Sequence, residues 1–165
     1  MWDMSKNLGC AFDDDKYNRL VLLFEPTFAT YIDRLVQEKS ALFAGDRHFI
    51  GFYLDNELPF ASYQNADPLR GIDLKHFLSL PERYKAAREY AEKFMRDNGI
   101  ASTGVITKKN QEDFRGMVAD YYYQLTTATV RRYDKEHLIL GTRLHDWSKY
   151  CLLYTSPSPR DRSLS

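Results

Sequence analysis

Net charge of either sign, cysteine and long apolar runs are all scarce in this 165-residue sequence, and each scarcity excludes something. The 23 basic and 23 acidic side chains cancel to a formal net charge of zero. Phosphate backbones are bound through a concentrated basic face, so the charge gives no reason to expect a nucleic-acid partner. No uninterrupted apolar stretch approaches the roughly 18 residues of a membrane helix. The N-terminus carries no basic segment followed by an apolar one, and no membrane partner is expected. What the sequence does have is 44% hydrophobic, 15% aromatic and 28% charged residues. That is too much Tyr and Phe for a disordered chain, and the length suits one domain at about 100 to 200 residues per domain.

The segment CLLYTSPSPRD, residues 151–161, resembles the translation of a transposase adapter used in preparing sequencing libraries, a contaminant of assembled metagenomic genes. Residues 151–165 are therefore read as a disordered processing scar and set aside, which implies that the native gene is cut there. As native sequence the same letters read as a flexible Ser/Pro-rich terminus. Neither reading gives the tail any chemistry. The remaining domain, residues 1–150, is slightly acidic and keeps Cys10 alone, which makes neither an intramolecular disulfide nor a zinc site.

Along that domain the hydrophobic pattern alternates between helical and extended segments. Pro26 suits the first turn of a helix, and Phe28, Ile32, Leu35 and Leu42 recur at helical spacings to about Ala44. Gly45-Asp46 marks a turn. Residues 48–54 are almost continuously apolar, as in a strand buried on both faces. A polar, Pro-containing loop follows over residues 55–71, long enough to carry function. Asp73 is placed to cap a short helix ending near Leu80, and Pro81 to open another, over residues 82–97, closed by Asn98-Gly99. Residues 101–109 read as loop or turn. Phe114, Val118, Tyr121, Tyr122 and Leu125 define one face of a helix over residues 110–132, with about two of the three rings of Tyr121-Tyr122-Tyr123 turned inward. A second apolar strand occupies residues 137–142. Two strands joined by helical crossovers, with no hairpin signal between them, predict an α/β fold with a parallel sheet, either open and doubly wound or a (β/α) barrel.

In both architectures ligands meet the carboxyl ends of the strands. Two polar clusters stand there: Asp55-Asn56-Glu57, and residues 143–147 after the second strand. A carboxylic acid at a strand end, flanked by aromatic residues and screened from water, can have its pKa raised until it serves as a general acid near neutral pH. Glu57 is placed for that role. Position alone leaves open that Glu57 caps a helix or pairs with Arg143.

Three blocks carry a family resemblance. FIGFYLDNELPF, residues 49–60, resembles the fourth barrel strand of clan A glycoside hydrolases, whose acid/base is a Glu preceded by Asn. RRYDKEHLILGTRLH, residues 131–145, is similar to the helix end and fifth strand that follow in beta-agarases and related beta-galactosidase-like enzymes. FEPTFATYIDRLVQEK, residues 24–39, is similar to the helix before the Asn-Glu strand. The resemblance implies a partial (β/α)8 TIM barrel, roughly strands three to five with their helices. It further implies a carbohydrate substrate, beta-linked and galactose-containing, and a parent protein that is secreted or periplasmic. Glu57 would then be the acid/base and Asn56 the residue that hydrogen-bonds the sugar hydroxyl beside the anomeric carbon. Two carboxylates suffice for the retaining reaction, so no cofactor and no metal are expected.

The nucleophile of this clan is a second Glu, at the end of the seventh strand, and the sequence offers no match for it. Glu82, Glu89 and Glu92 lie in a polar helix, Glu112 lies near a helix start, and Glu136 precedes its strand. The expectation is a fragment lacking its nucleophile and inactive alone. A non-catalytic carbohydrate-binding or scaffold protein is the alternative. Arg143 and His145 are candidates for contacts to sugar hydroxyls or a carboxylate, and Trp147 and Tyr63 for stacking on sugar faces. Loop packing is an equal reading of the two rings. Asp13-Asp14-Asp15 lacks the alternating oxygen ligands and glycine of a calcium loop, and His48, His76 and His137 share no metal-ligand spacing.

Overall fold

Four consecutive apolar residues, Leu20, Val21, Leu22 and Leu23, lie within a 3-10 helix, Arg19–Phe24, that begins the described part of the chain. The computed structural model describes residues 19–56 and 72–143. All four of these side chains are buried. A run that is apolar on every side fits only where every side is covered. The chain divides into two compact units, Met1–Tyr31 with Pro59–Asp120, and Ile32–Leu58 with Tyr121–Ser165.

The first unit is helical. Helix α1, Phe28–Ala41, contributes its first residues here. Helix α2, Leu74–Leu78, is capped as expected: the Asp73 carboxylate accepts the His76 N–H at 3.1 Å. Pro81 leads through a 3-10 turn, Glu82–Tyr84, into α3, Lys85–Asp97. That helix closes at Asn98, and Gly99 then adopts φ +63°, which glycine tolerates best. After a 3-10 turn at Thr103–Val105 comes the long helix α4, Lys108–Tyr133. The core is built from rings meeting edge to face. The ring centroid of Phe114 lies 5.2 Å from that of Phe77 and 5.3 Å from that of Phe94, and those of Phe24 and Phe77 are 6.1 Å apart. Buried backbone groups are satisfied by long side chains: Gln111 Oε1 accepts the Leu74 N–H at 2.6 Å, and Arg115 Nε donates to the Ile72 carbonyl at 2.7 Å.

The second unit holds the strands: β1, Gly51–Phe52; β2, Asp55–Asn56; β3, Leu138–Ile139; and β4, Thr142–Arg143. β1 pairs with β3 and β2 with β4, both in parallel. Gly51 faces Leu138, Phe52 Ile139, Asp55 Thr142 and Asn56 Arg143, the same offset of 87 residues each time. Between the short ladders the Leu140 N–H donates to the Phe52 carbonyl at 2.8 Å, and the Leu54 N–H to the Gly141 carbonyl at 2.7 Å. The four short strands thus form one parallel pair with unbroken register, as the crossover argument predicts. Gly141, at φ +75°, turns its carbonyl into that ladder in a conformation side chains resist.

Three details differ from the sequence-based expectations. Leu42 is 69% exposed, not on the buried helical face. Helix α1 ends at Ala41, the chain tightens through the Leu42 N–H to Lys39 carbonyl bond, and Phe43 turns inward to stack on Phe49 at 4.1 Å. The first strand is not buried on both faces either, since Ile50 is 71% and Tyr53 57% exposed. The Phe43, Phe49 and Phe52 rings cluster together, leaving Ile50 and Tyr53 outside that packing. Finally, the long helix begins at Lys108, two residues before the expected start at Asn110, while the 3-10 turn at Thr103–Val105 lies in the stretch expected to be loop or turn.

Candidate active site

A parallel pair of unbroken register brings the two expected strand ends together. Asn56 and Arg143 are in-register partners on neighbouring strands, both at the carboxyl end of the pair. Eighty-seven residues separate them in sequence, and the helical crossover lets their strands run the same way. Glu57, Tyr63, His145 and Trp147, the other candidates for chemistry, lie outside the described residues, as does the Asp13-Asp14-Asp15 stretch.

The step before this pair is held by helix α4. Tyr123 Oη and Thr142 Oγ1 are 2.7 Å apart, and Thr142 is buried. On the neighbouring strand, Tyr122 Oη donates to Asp55 Oδ2 at 3.4 Å, a long bond. The two phenol rings meet edge to face at 5.1 Å. Consecutive helical residues therefore reach consecutive strands at one level of the ladder, directly before Asn56 and Arg143. Burial first, and then the negative charge of Asp55, push the Tyr122 phenol well above its ordinary value near 10. The phenol therefore keeps its proton near neutral pH and donates it in the hydrogen bond to Asp55. Thr126 completes the support by donating from Oγ1 to the Tyr122 carbonyl at 2.8 Å.

The sequence signals this support only in outline. A Tyr-Tyr-Tyr run on a helix face announces that some rings point inward, and Tyr122 and Tyr123 are buried while Tyr121 is 38% exposed. That those two hydroxyls would meet Asp55 and Thr142 depends on the pairing register, which the helical pattern does not encode. The same unit ties α4 to α1 through Asp33, whose carboxylate accepts from Tyr133 Oη at 2.8 Å and lies 2.7 Å from Arg132 Nη2. At the opposite, amino end of the strand pair His137 and Asp134 are joined at 2.7 Å.

No family model and no curated protein matches the chain. Among solved structures, the crystal structure of BpGH50 matches 87% of this chain and 31% of its own, with a TM-score of 0.67 and 25% sequence identity. The chain therefore spans just under a third of the length of the structure it matches. The likeness supports a glycoside hydrolase-like fold for this α/β chain.

Proposed function

We propose that this chain is the part of a retaining glycoside hydrolase that carries the acid/base, acting on a beta-linked, galactose-containing polysaccharide or oligosaccharide such as agarose. One observation carries the reading: Asn56, the residue before Glu57, ends one strand of a parallel pair beside Arg143, in a chain whose structural neighbour is named as a family 50 glycoside hydrolase. Neighbouring parallel strands joined through helices are also what successive strands of a (β/α)8 barrel require, so the pair fits strands four and five of such a barrel. The nucleophile belongs to a later strand of the longer protein.

In this reading Glu57 protonates the leaving glycosidic oxygen. A second carboxylate about 5 to 5.5 Å away attacks the anomeric carbon, and Glu57 then takes a proton from the water that releases the sugar. The Asn56 amide donates to the 2-hydroxyl, a bond that strengthens as positive charge builds on the ring. Arg143 and His145 bind hydroxyls or a carboxylate, and Trp147 and Tyr63 offer apolar ring faces to pyranose C–H groups. Glu57→Gln in the intact protein carrying this sequence tests the reading. Hydrolysis is expected to fall about 10²- to 10⁴-fold while oligosaccharide binding persists. Preserved hydrolysis would remove Glu57 from the acid/base role, and a parent that binds agaro-oligosaccharides without hydrolysing them would favour a binding protein.

A further inference from the structure

The His137 ring sits where the second strand begins, and both of its nitrogens face oxygen acceptors. Nδ1 is 2.7 Å from Asp134 Oδ2, in the turn after α4, and Nε2 is 3.3 Å from the backbone carbonyl of Asp46, in the turn before β1. Neither oxygen has a proton to give. A neutral imidazole has one N–H, so it satisfies one of these acceptors and sets a lone pair against the other, whereas an imidazolium donates to both. We propose that His137 is a pH-sensitive clamp, which when doubly protonated fastens the start of the second strand to the turn that leads into the first.

The surroundings fit a bridging cation. Asp134 is itself fixed, its Oδ1 accepting the N–H groups of Glu136 at 3.0 Å and His137 at 2.9 Å. Burial alone would push this carboxyl up. The bonds from the His137 backbone and ring and from the Glu136 backbone outweigh it and hold Asp134 below its ordinary value, so it is a carboxylate wherever the ring titrates. Of the other charged groups nearby, Glu136 adds negative charge. The Arg131 guanidinium is taken up by the carbonyls of Asp134 and His137, at 3.1 and 2.8 Å. The Asp46 carboxylate is engaged by the His48 N–H at 2.9 Å. The ring edges against Phe49, with centroids 5.1 Å apart, and lies 6.5 Å from Phe52. The Asp46 carbonyl also accepts the Phe49 N–H at 3.0 Å. The clamp therefore acts on the turn that aims the first strand, at the Asp46 carbonyl four residues before the Ile50 carbonyl that receives the Leu138 N–H.

The bond from Asp134 is the largest influence on the ring and raises its pKa above the ordinary value near 6.5. A raised folded-state pKa means that the stabilisation is complete below about pH 6.5 and is lost as pH rises through the higher, folded value. Nitrogen-15 NMR of the His137 imidazole in the full 165-residue chain tests this directly. We expect both ring nitrogens to remain protonated at a pH where a free imidazole is mostly neutral, and Asp134→Asn to return the midpoint toward about 6.5. A single-proton tautomer at neutral pH, or a midpoint at or below the ordinary value, overturns the proposal. Melting temperature against pH gives the second readout. The fall from pH 6 to pH 9 should be shallower in His137→Gln than in the native chain, and equal slopes would contradict the clamp. If that variant does not fold, the titration of the native chain decides alone.

Discussion

Replacing Gly51 by alanine is the sharpest perturbation of the strand pair on which the candidate site rests. A Cβ at this position would lie 2.2 Å from the Leu138 carbonyl oxygen, 2.8 Å from its carbon and 2.9 Å from the Leu138 Cβ. Carbon and oxygen do not approach closer than about 3 Å in real contacts, so the strands must separate by most of an ångström at their first paired position. Two backbone bonds flank that point, Leu138 N–H to the Ile50 carbonyl at 3.0 Å and Leu140 N–H to the Phe52 carbonyl at 2.8 Å. Overpacking costs about 1–3 kcal/mol, and weakening one of these bonds adds roughly 1 kcal/mol. Gly51→Ala should therefore destabilise the chain by about 2–4 kcal/mol, which for a chain of this size lowers the melting temperature by on the order of 10 °C. Denaturant unfolding gives the free energy, and hydrogen exchange at the Leu138 and Leu140 amides locates the damage. Because the nearest atom is backbone, Leu138→Ala in the same chain should not rescue it. A Gly51→Ala variant within about 0.5 kcal/mol of the native chain, with those amides still protected, would refute the pairing register and with it the adjacency of Asn56 and Arg143.

Two further perturbations test the supports. Phe114→Ala removes the ring between Phe77 and Phe94 and should cost about 3–5 kcal/mol in equilibrium unfolding, whereas Phe114→Leu should cost much less. A double-mutant cycle of Tyr123→Phe and Thr142→Val should show a coupling of about 1 kcal/mol, because each single change leaves a buried hydroxyl without the 2.7 Å partner and the double change removes both. Additive costs would mean that the bond does not hold the strand end.

Much of the local structure was legible because its signals are chemical. Asp73 caps α2 since a short carboxylate before a helix has free N–H groups to accept, and Asn98-Gly99 stops α3 since glycine takes the left-handed turn there without strain. The parallel pairing followed from helical segments lying between two apolar runs. Less legible was what depends on tertiary cover. Leu20 to Leu23 show no period because all four side chains are buried, and Ile50 and Tyr53 read as core residues although they lie outside the Phe43, Phe49 and Phe52 cluster. At the site, the strand-end positions of Asn56 and Arg143 were legible in the sequence. The phenols of Tyr122 and Tyr123 behind them were not, because a helix repeat gives the inward face but not the partner. His137 was equally hidden: three histidines without ligand spacing read as structural, and only the fold sets one of them between two oxygens.

Azide rescue of the Glu57→Gln variant of the intact protein, on an aryl beta-galactoside with a good leaving group, tests the acid/base role of Glu57 directly. Such a substrate forms the glycosyl-enzyme without acid assistance, and azide then attacks it without needing a base. Azide is expected to restore turnover and to yield the beta-galactosyl azide, the product of two displacements at the anomeric carbon. No rescue, or an alpha-configured azide, would contradict Glu57 as the acid/base of a retaining hydrolase.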